Sequence, residues 1–193
     1  RGRLMQEAVP EGTGAMAAIL GLDDGTVIDV CGKAAEGEVV TAVNFNSPGQ
    51  VVIAGNKDAV ERAVNLAKEA GAKRAVTLPV SVPSHCNLMV PAAERLAESL
   101  TNIEINSPSI PVYNNVDVKA ESDPDLIRSA LKRQLFSPVR WVGTINALSS
   151  LNVQHIVECG PGKVLAGLNK RINKQMSTHI TLDTESLAKA IQA

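Results

Sequence analysis

Between Gly14 and Val80 the chain alternates strand and helix patterns in an order that few folds accept. Gly14 to Leu22 is a short apolar run of buried-strand type. Asp23 and Asp24 are good helix caps, and Val27, Ile28, Val30 and Cys31 fit the helix that follows. Val39 to Phe45 is a second strand, Asn46 to Gln50 a turn by composition, and Gln50 to Ala54 a third strand. From Asp58, the positions Val60, Ala63, Val64, Ala67 and Ala70 trace one helical face that stops at Gly71. Arg74 to Val80 is a fourth strand. The order β-α-β-β-α-β predicts a ferredoxin-like unit over residues 12–80.

The remainder alternates in a different way. A helix is expected from Asn87 to Leu100, an apolar strand from Ile110 to Val116, and a helix from Asp123 through Leu135 that Ser137-Pro138 breaks. Val139 to Leu148, His155 to Cys159, Val164 to Asn173, Ile180 to Leu182 and Glu185 to Gln192 continue as helix, strand, helix, strand and helix. Strands alternating with helices argue for a parallel sheet. Three such strands make a thin sheet. Arg1 to Val9 reads as the tail of a helix with no cap before it, so the chain is expected to be a piece of a longer protein.

Composition removes several function classes. Net charge is −1, and two Phe, one Tyr and one Trp leave little to stack on bases, so neither nucleic acid nor an anionic membrane is an expected partner. No apolar run approaches the roughly 18 residues of a membrane span. Three scattered cysteines suggest a reducing, cytoplasmic setting, and three distant histidines with no C-x-x-C offer no metal site.

Val82-Pro83-Ser84-His85-Cys86 lies between a strand and a helix. Pro83 cannot donate to a ladder, so the turn presents His85 at a strand end, where α/β folds place chemistry. Its ordinary pKa suits a general base. A buried, hydrogen-bonded structural histidine is the other reading. Cys86 points away from His85 in extended chain and reads as a packed residue. No G-x-S-x-G occurs in the sequence, so a nucleophile for His85 would lie outside it. Gly160-Pro161-Gly162-Lys163 departs from a phosphate loop and reads as a tight turn. Lys163, Lys170, Arg171 and Lys174 fall near one helix face, as a solvated face or a docking surface for an acidic partner or cofactor phosphates.

Taken together, Arg1 to Gln6, Asn44 to Gly55, Val82 to His85, Arg133 to Trp141 and Glu158 to Leu165 resemble the malonyl-CoA:acyl carrier protein transacylases of bacterial fatty-acid synthesis. The resemblance spans essentially the whole chain in the right order. It implies an α/β fold: a partial, hydrolase-like parallel-sheet body, residues 1–11 and 81–193, with the ferredoxin-like unit of residues 12–80 inserted. It implies malonyl transfer from coenzyme A to an active-site serine and then to the phosphopantetheine thiol of acyl carrier protein, with no cofactor, by a monomer. His85 matches the catalytic histidine and Gln134 the residue whose oxygen orients it. Arg1 matches the arginine on the malonyl carboxylate, and Ser84 falls in the acyl pocket. The serine and an N-terminal G-Q-G segment precede Arg1 in the family's layout, so the 193-residue chain alone is expected to be inactive. A non-catalytic ferredoxin-like binding or regulatory module is the alternative.

Overall fold

The structure, a computed structural model, describes residues 1–80 and 82–192. Ser81 and Ala193, which bound the expected body segment, lie outside the described residues. The chain forms two compact units, Arg1–Arg140 and Trp141–Ala193.

The first unit opens with helix α1 (Gly2–Ala8) and continues through β1 (Gly14–Leu20), α2 (Asp24–Ala34), β2 (Val40–Ser47), β3 (Gln50–Asn56), α3 (Lys57–Glu69) and β4 (Arg74–Thr77). The four strands make one antiparallel sheet in the order β2-β3-β1-β4. The period-two alternation of strands divides the core. Ala17, Ile19, Val51 and Ile53 face α2 and α3 and pack with Val27, Val60 and Ala63. Met16, Val52 and Ala54 occupy a second cluster with Val43 and Cys86. Asp23 caps α2 by accepting the Thr26 N–H at 2.9 Å, as its residue type predicted. A Cβ on Gly55 would lie 1.9 Å from the Val39 carbonyl oxygen, so only glycine lets β2 begin this close to β3.

Two expectations shrink. The five-residue turn becomes Pro48-Gly49 alone, because Asn46 and Ser47 stay in β2 past a ladder irregularity between Phe45 and Ser47. The fourth strand stops at Thr77; Leu78 still donates to the Met16 carbonyl at 2.8 Å, and Pro79 has no N–H to continue.

A 3-10 turn at Asn87–Met89 leads into α4 (Val90–Thr101), with Pro91 in its first turn. The predicted strand Ile110 to Val116 is corrected: among the described residues only Tyr113 there makes a bridge, to Ala120, and Ile110 and Val112 are exposed. An apolar run is a strand only where a second backbone supplies its hydrogen bonds. Helix α5 (Pro124–Arg133) starts at Asp123, whose carboxylate accepts the Asp125 and Leu126 N–H groups. Val139 is not helical. It accepts from the Phe45 N–H and donates to the Val43 carbonyl, tying its segment to the edge of β2.

The second unit contains α6 (Trp141–Ser150), β5 (His155–Glu158), α7 (Val164–Ile172), β6 (Ser177–Ile180) and α8 (Thr184–Ile191). β5 and β6 pair in parallel, as the alternation predicted. The last strand begins three residues earlier than expected, because Ser177, Thr178 and His179 give no apolar signal yet make the pairing. Trp141 donates its indole N–H to buried Asn169 at 2.9 Å, joining α6 to α7. Glu158 explains the Gly160-Pro161-Gly162 turn: its carboxylate accepts the Leu165 and Ala166 N–H groups at 3.1 and 2.8 Å. The start of α7 therefore already holds an anion, in place of any phosphate. No helix among the described residues is long and apolar enough to cross a membrane.

Candidate functional site

His85 sits in a turn whose neighbours are locked. Pro83 is fully buried, and its ring lies so close to Gly14 that a Cβ there would be 2.5 Å from it. Cys86 is buried against the second face of the sheet and donates its thiol to the Pro83 carbonyl at 3.2 Å. Burial pushes that thiol up to about 11, so it is no nucleophile at neutral pH, in agreement with its reading as a packed residue. With both flanks fixed, His85 takes φ = 68°, a left-handed conformation that non-glycine residues seldom adopt and that clusters at functional sites.

Two backbone carbonyls hold the residue there. Its N–H donates to Leu135 O at 2.9 Å, and its Nδ1 lies 2.7 Å from Gln134 O. A carbonyl can only accept, so Nδ1 carries the proton of the neutral ring and Nε2 carries the lone pair. The oxygen matched to Gln134 from sequence is thus a main-chain atom. It is available because α5 ends at Arg133 and the chain turns away. Leu135, fully buried between Met89, Ala92 and α1, anchors this turn from below.

Burial is the largest influence on the His85 ring and holds its pKa below the ordinary value. The hydrogen bond to Gln134 opposes this, the charge of Arg1 lowers the pKa further, and the backbone of Ser137 raises it a little. The neutral form a base requires is therefore the stable one near pH 7. The same Coulomb influence brings Arg1 into the picture. It is exposed at the start of α1, and Leu4 and Met5 fix that helix against Met89 and Ala93. Ser84 is half-buried, and its N–H is turned to the Val82 carbonyl at 3.0 Å. His85 also lines a hollow of about 370 Å³ with Thr41, Asn87, Phe136 and Pro138. Sequence reading gave no site role to Thr41 or Asn87, whose residue types and spacing do not single them out, whereas Phe136 and Pro138 fall in the Arg133 to Trp141 segment that carries the resemblance.

The four cations resolve differently. Lys163, Lys170 and Lys174 line one hollow of about 760 Å³ over β6 in the second unit, whereas Arg171 does not line it. Lys163 stands at the start of α7, Lys170 and exposed Arg171 in its last turn and Lys174 just beyond it; adjacent residues 170 and 171 project about 100° apart on a helix. No group of three or more His, Cys, Asp or Glu among the described residues is placed to hold a metal ion.

Residues 1–182 match the family model described as acyl transferase domain. The chain belongs to the acyl transferase domain family. Its similarity to individual members is high. It is 57% identical over 192 residues to the malonyl CoA-acyl carrier protein transacylase of Escherichia coli K12, covering all of this chain and 62% of that protein. The crystal structure of an acyl carrier protein S-malonyltransferase from Vibrio cholerae superposes with a TM-score of 0.96 at 61% identity, over 98% of this chain and 62% of the other. A malonyl-transacylase solved in complex with its type II PKS acyl-carrier protein superposes at 0.98 with 55% identity, over 99% and 62% of the two chains. This acyl transferase chain therefore spans about three-fifths of the length of the relatives it matches, and its mixed α/β architecture is theirs.

Proposed function

We propose that the protein containing this chain moves a malonyl group from coenzyme A to the phosphopantetheine thiol of acyl carrier protein, in fatty-acid synthesis and in the cytoplasm. The observation that carries this reading is a histidine with Nδ1 pinned to a main-chain carbonyl, which leaves Nε2 as the base. A serine supplied from outside this sequence gives its proton to Nε2 of His85, and its oxygen attacks the thioester carbonyl. Coenzyme A leaves as the thiol, taking that proton, and an acyl-serine remains. The carrier thiol then passes its proton to His85 and attacks the ester, and the serine oxygen recovers the proton. Gln134 keeps the ring in the required tautomer, in the place a carboxylate fills in the usual triad.

Arg1 is proposed to hold the malonyl carboxylate, for which a planar two-pronged donor is suited, with Ser84 in the acyl pocket. Lys163, Lys170 and Lys174, which line one hollow, and Arg171 in the last turn of α7 are proposed as a cationic surface suited to an acidic carrier or to coenzyme A phosphates. The sheet order β2-β3-β1-β4 with two helices on one face supports a ferredoxin-like subdomain over residues 12–80. The parallel β5–β6 pair supports a hydrolase-like body formed by residues 1–11 and 81–193. No cofactor takes part in this scheme, and a monomer suffices for it.

The test is direct. The full-length protein, malonyl-CoA and holo acyl carrier protein are incubated, and the carrier's intact mass is followed. Malonyl-carrier formed at a rate proportional to enzyme supports the reading. A carrier that stays unmodified under conditions where the protein is folded overturns it.

A further inference from the structure

The carbonyl that orients His85 is itself held by a device outside the hollow. Arg133, the last residue of α5 and the neighbour of Gln134, makes a two-pronged ion pair with Asp117: Nη1 to Oδ1 at 2.6 Å and Nη2 to Oδ2 at 2.7 Å. Both side chains are about two-thirds covered, at 35% and 26% exposure. This is the geometry in which an arginine–carboxylate pair is directional as well as attractive. Hydrogen bonding to Arg133 accordingly holds the Asp117 carboxyl below its usual range.

Asp117 does not float. Buried Asn114 accepts the Val116 and Asp117 N–H groups on its Oδ1 at 3.0 and 2.8 Å, and gives its own amide to the Lys119 carbonyl at 3.1 Å. One residue on, the Asn115 carbonyl accepts the Arg140 N–H at 3.1 Å. The loop of residues 113–120 thus grips both ends of the turn that carries the Gln134 and Leu135 carbonyls. Val139 fixes the same turn to β2. The Gln134 N–H still bonds Ala130 O at 2.9 Å and the Leu135 N–H bonds Lys132 O at 3.2 Å, but the Gln134 carbonyl lies past the end of α5 and meets the His85 ring, so its aim depends on how the segment after Arg133 is held.

We propose that Asp117 and Arg133 are positioning residues for His85: their fork sets the Gln134 carbonyl, and through it the tautomer and aim of the imidazole. The role in transfer rests on the acyltransfer reading above; the role in holding the ring does not. A merely stabilising ion pair would lower the melting temperature and leave the ring and the chemistry alone.

The experiment uses the full-length protein with 15N-labelled histidine, assigned against His85→Gln. The Nδ1–H resonance of His85 is followed in wild type, Asp117→Asn and Arg133→Lys, alongside malonyl-transfer kinetics. Asp117→Asn is expected to lose the protected Nδ1–H signal and to lower kcat about tenfold or more, with KM for malonyl-CoA within about twofold, as for a misaimed base. Arg133→Lys, which keeps the charge but not the fork, is expected to fall between; it carries the same readouts if Asp117→Asn does not fold. A folded variant with a wild-type Nδ1–H signal and kcat overturns the proposal. A wild type that shows the protected signal but no transfer, with the signal lost in Asp117→Asn, retains the positioning role and sinks the acyltransfer reading instead.

Discussion

Replacing Gly14 by alanine is expected to destabilise the protein and to slow it, and the sign of the first effect is diagnostic. At an ordinary strand position the change to alanine stabilises by roughly 0.4–1 kcal/mol, because the unfolded chain loses freedom. Here the new methyl carbon would stand 2.5 and 2.6 Å from two ring carbons of Pro83. Comfortable carbon contacts lie near 3.5–4.0 Å, so the two must part by about 1 Å. Neither side yields easily. Gly14 is paired to Asn56 in the sheet, and Pro83 is a rigid ring buried completely between that sheet and His85. Overpacking of this kind costs about 1–3 kcal/mol, or on the order of 3–10 °C in melting temperature for a chain of this size. Pro83 is two residues from His85, so the same displacement reaches the ring, where an error of about 1 Å can cost up to a hundredfold in rate. Thermal unfolding and malonyl transfer, both on the full-length protein, provide the measurements. An alanine variant as stable as wild type or more so, with an unchanged rate, would refute the argument that Gly14 exists to seat Pro83.

Arg1→Ala in the full-length protein should lower kcat/KM for malonyl-CoA at least about tenfold and raise that for acetyl-CoA relative to it, with Arg1→Lys recovering part of the preference. Equal slowing of both substrates would assign Arg1 to the fold or to coenzyme A. Alkylation of the folded 193-residue chain at pH 8 should modify exposed Cys159 and spare Cys31 and Cys86, whose thiols burial pushes to about 12 and about 11. Stoichiometric malonylation of Cys86 in the 193-residue chain incubated with labelled malonyl-CoA would contradict its role as a packed residue. Because the folded state holds the His85 pKa below its unfolded value, folding prefers the neutral ring. That contribution is complete above the unfolded pKa of about 6.5 and is lost as pH falls through it toward the folded value. The loss of stability between pH 7.5 and 5.5 in urea should therefore be smaller in His85→Gln than in wild type, and an identical loss would contradict it.

The sheet and its two helices were legible because each segment carries its own local signal. The unbroken apolar run from Gly14 to Leu22 marks a strand buried on both faces, and Val60, Ala63, Val64 and Ala67 recur on a helix. Ile110 to Val116 misled for the converse reason. Its apolar run satisfies the strand pattern, but pairing depends on a second backbone that local sequence does not reveal. Ser177 to His179 show the opposite case, polar residues that pair because β5 lies beside them. At the site, His85 could be picked out by residue type and by its proline. Its backbone conformation, its partner carbonyls and the Pro83–Gly14 contact could not, since each arises from segments 49 or more residues apart brought together by packing. The fork of Asp117 and Arg133, 16 residues apart across a loop, has no sequence signature at all.

Acyl transfer with His85 as the base is tested most directly by the two half-reactions of His85→Ala in the full-length protein: malonyl loading from malonyl-CoA, and delivery to holo acyl carrier protein. Loss of a general base costs at least about a hundredfold. The account predicts that both half-reactions fall by that factor, in a protein that remains folded by circular dichroism. A folded variant that loads and delivers malonyl at near wild-type rates would contradict it and leave His85 a structural residue in a strained turn.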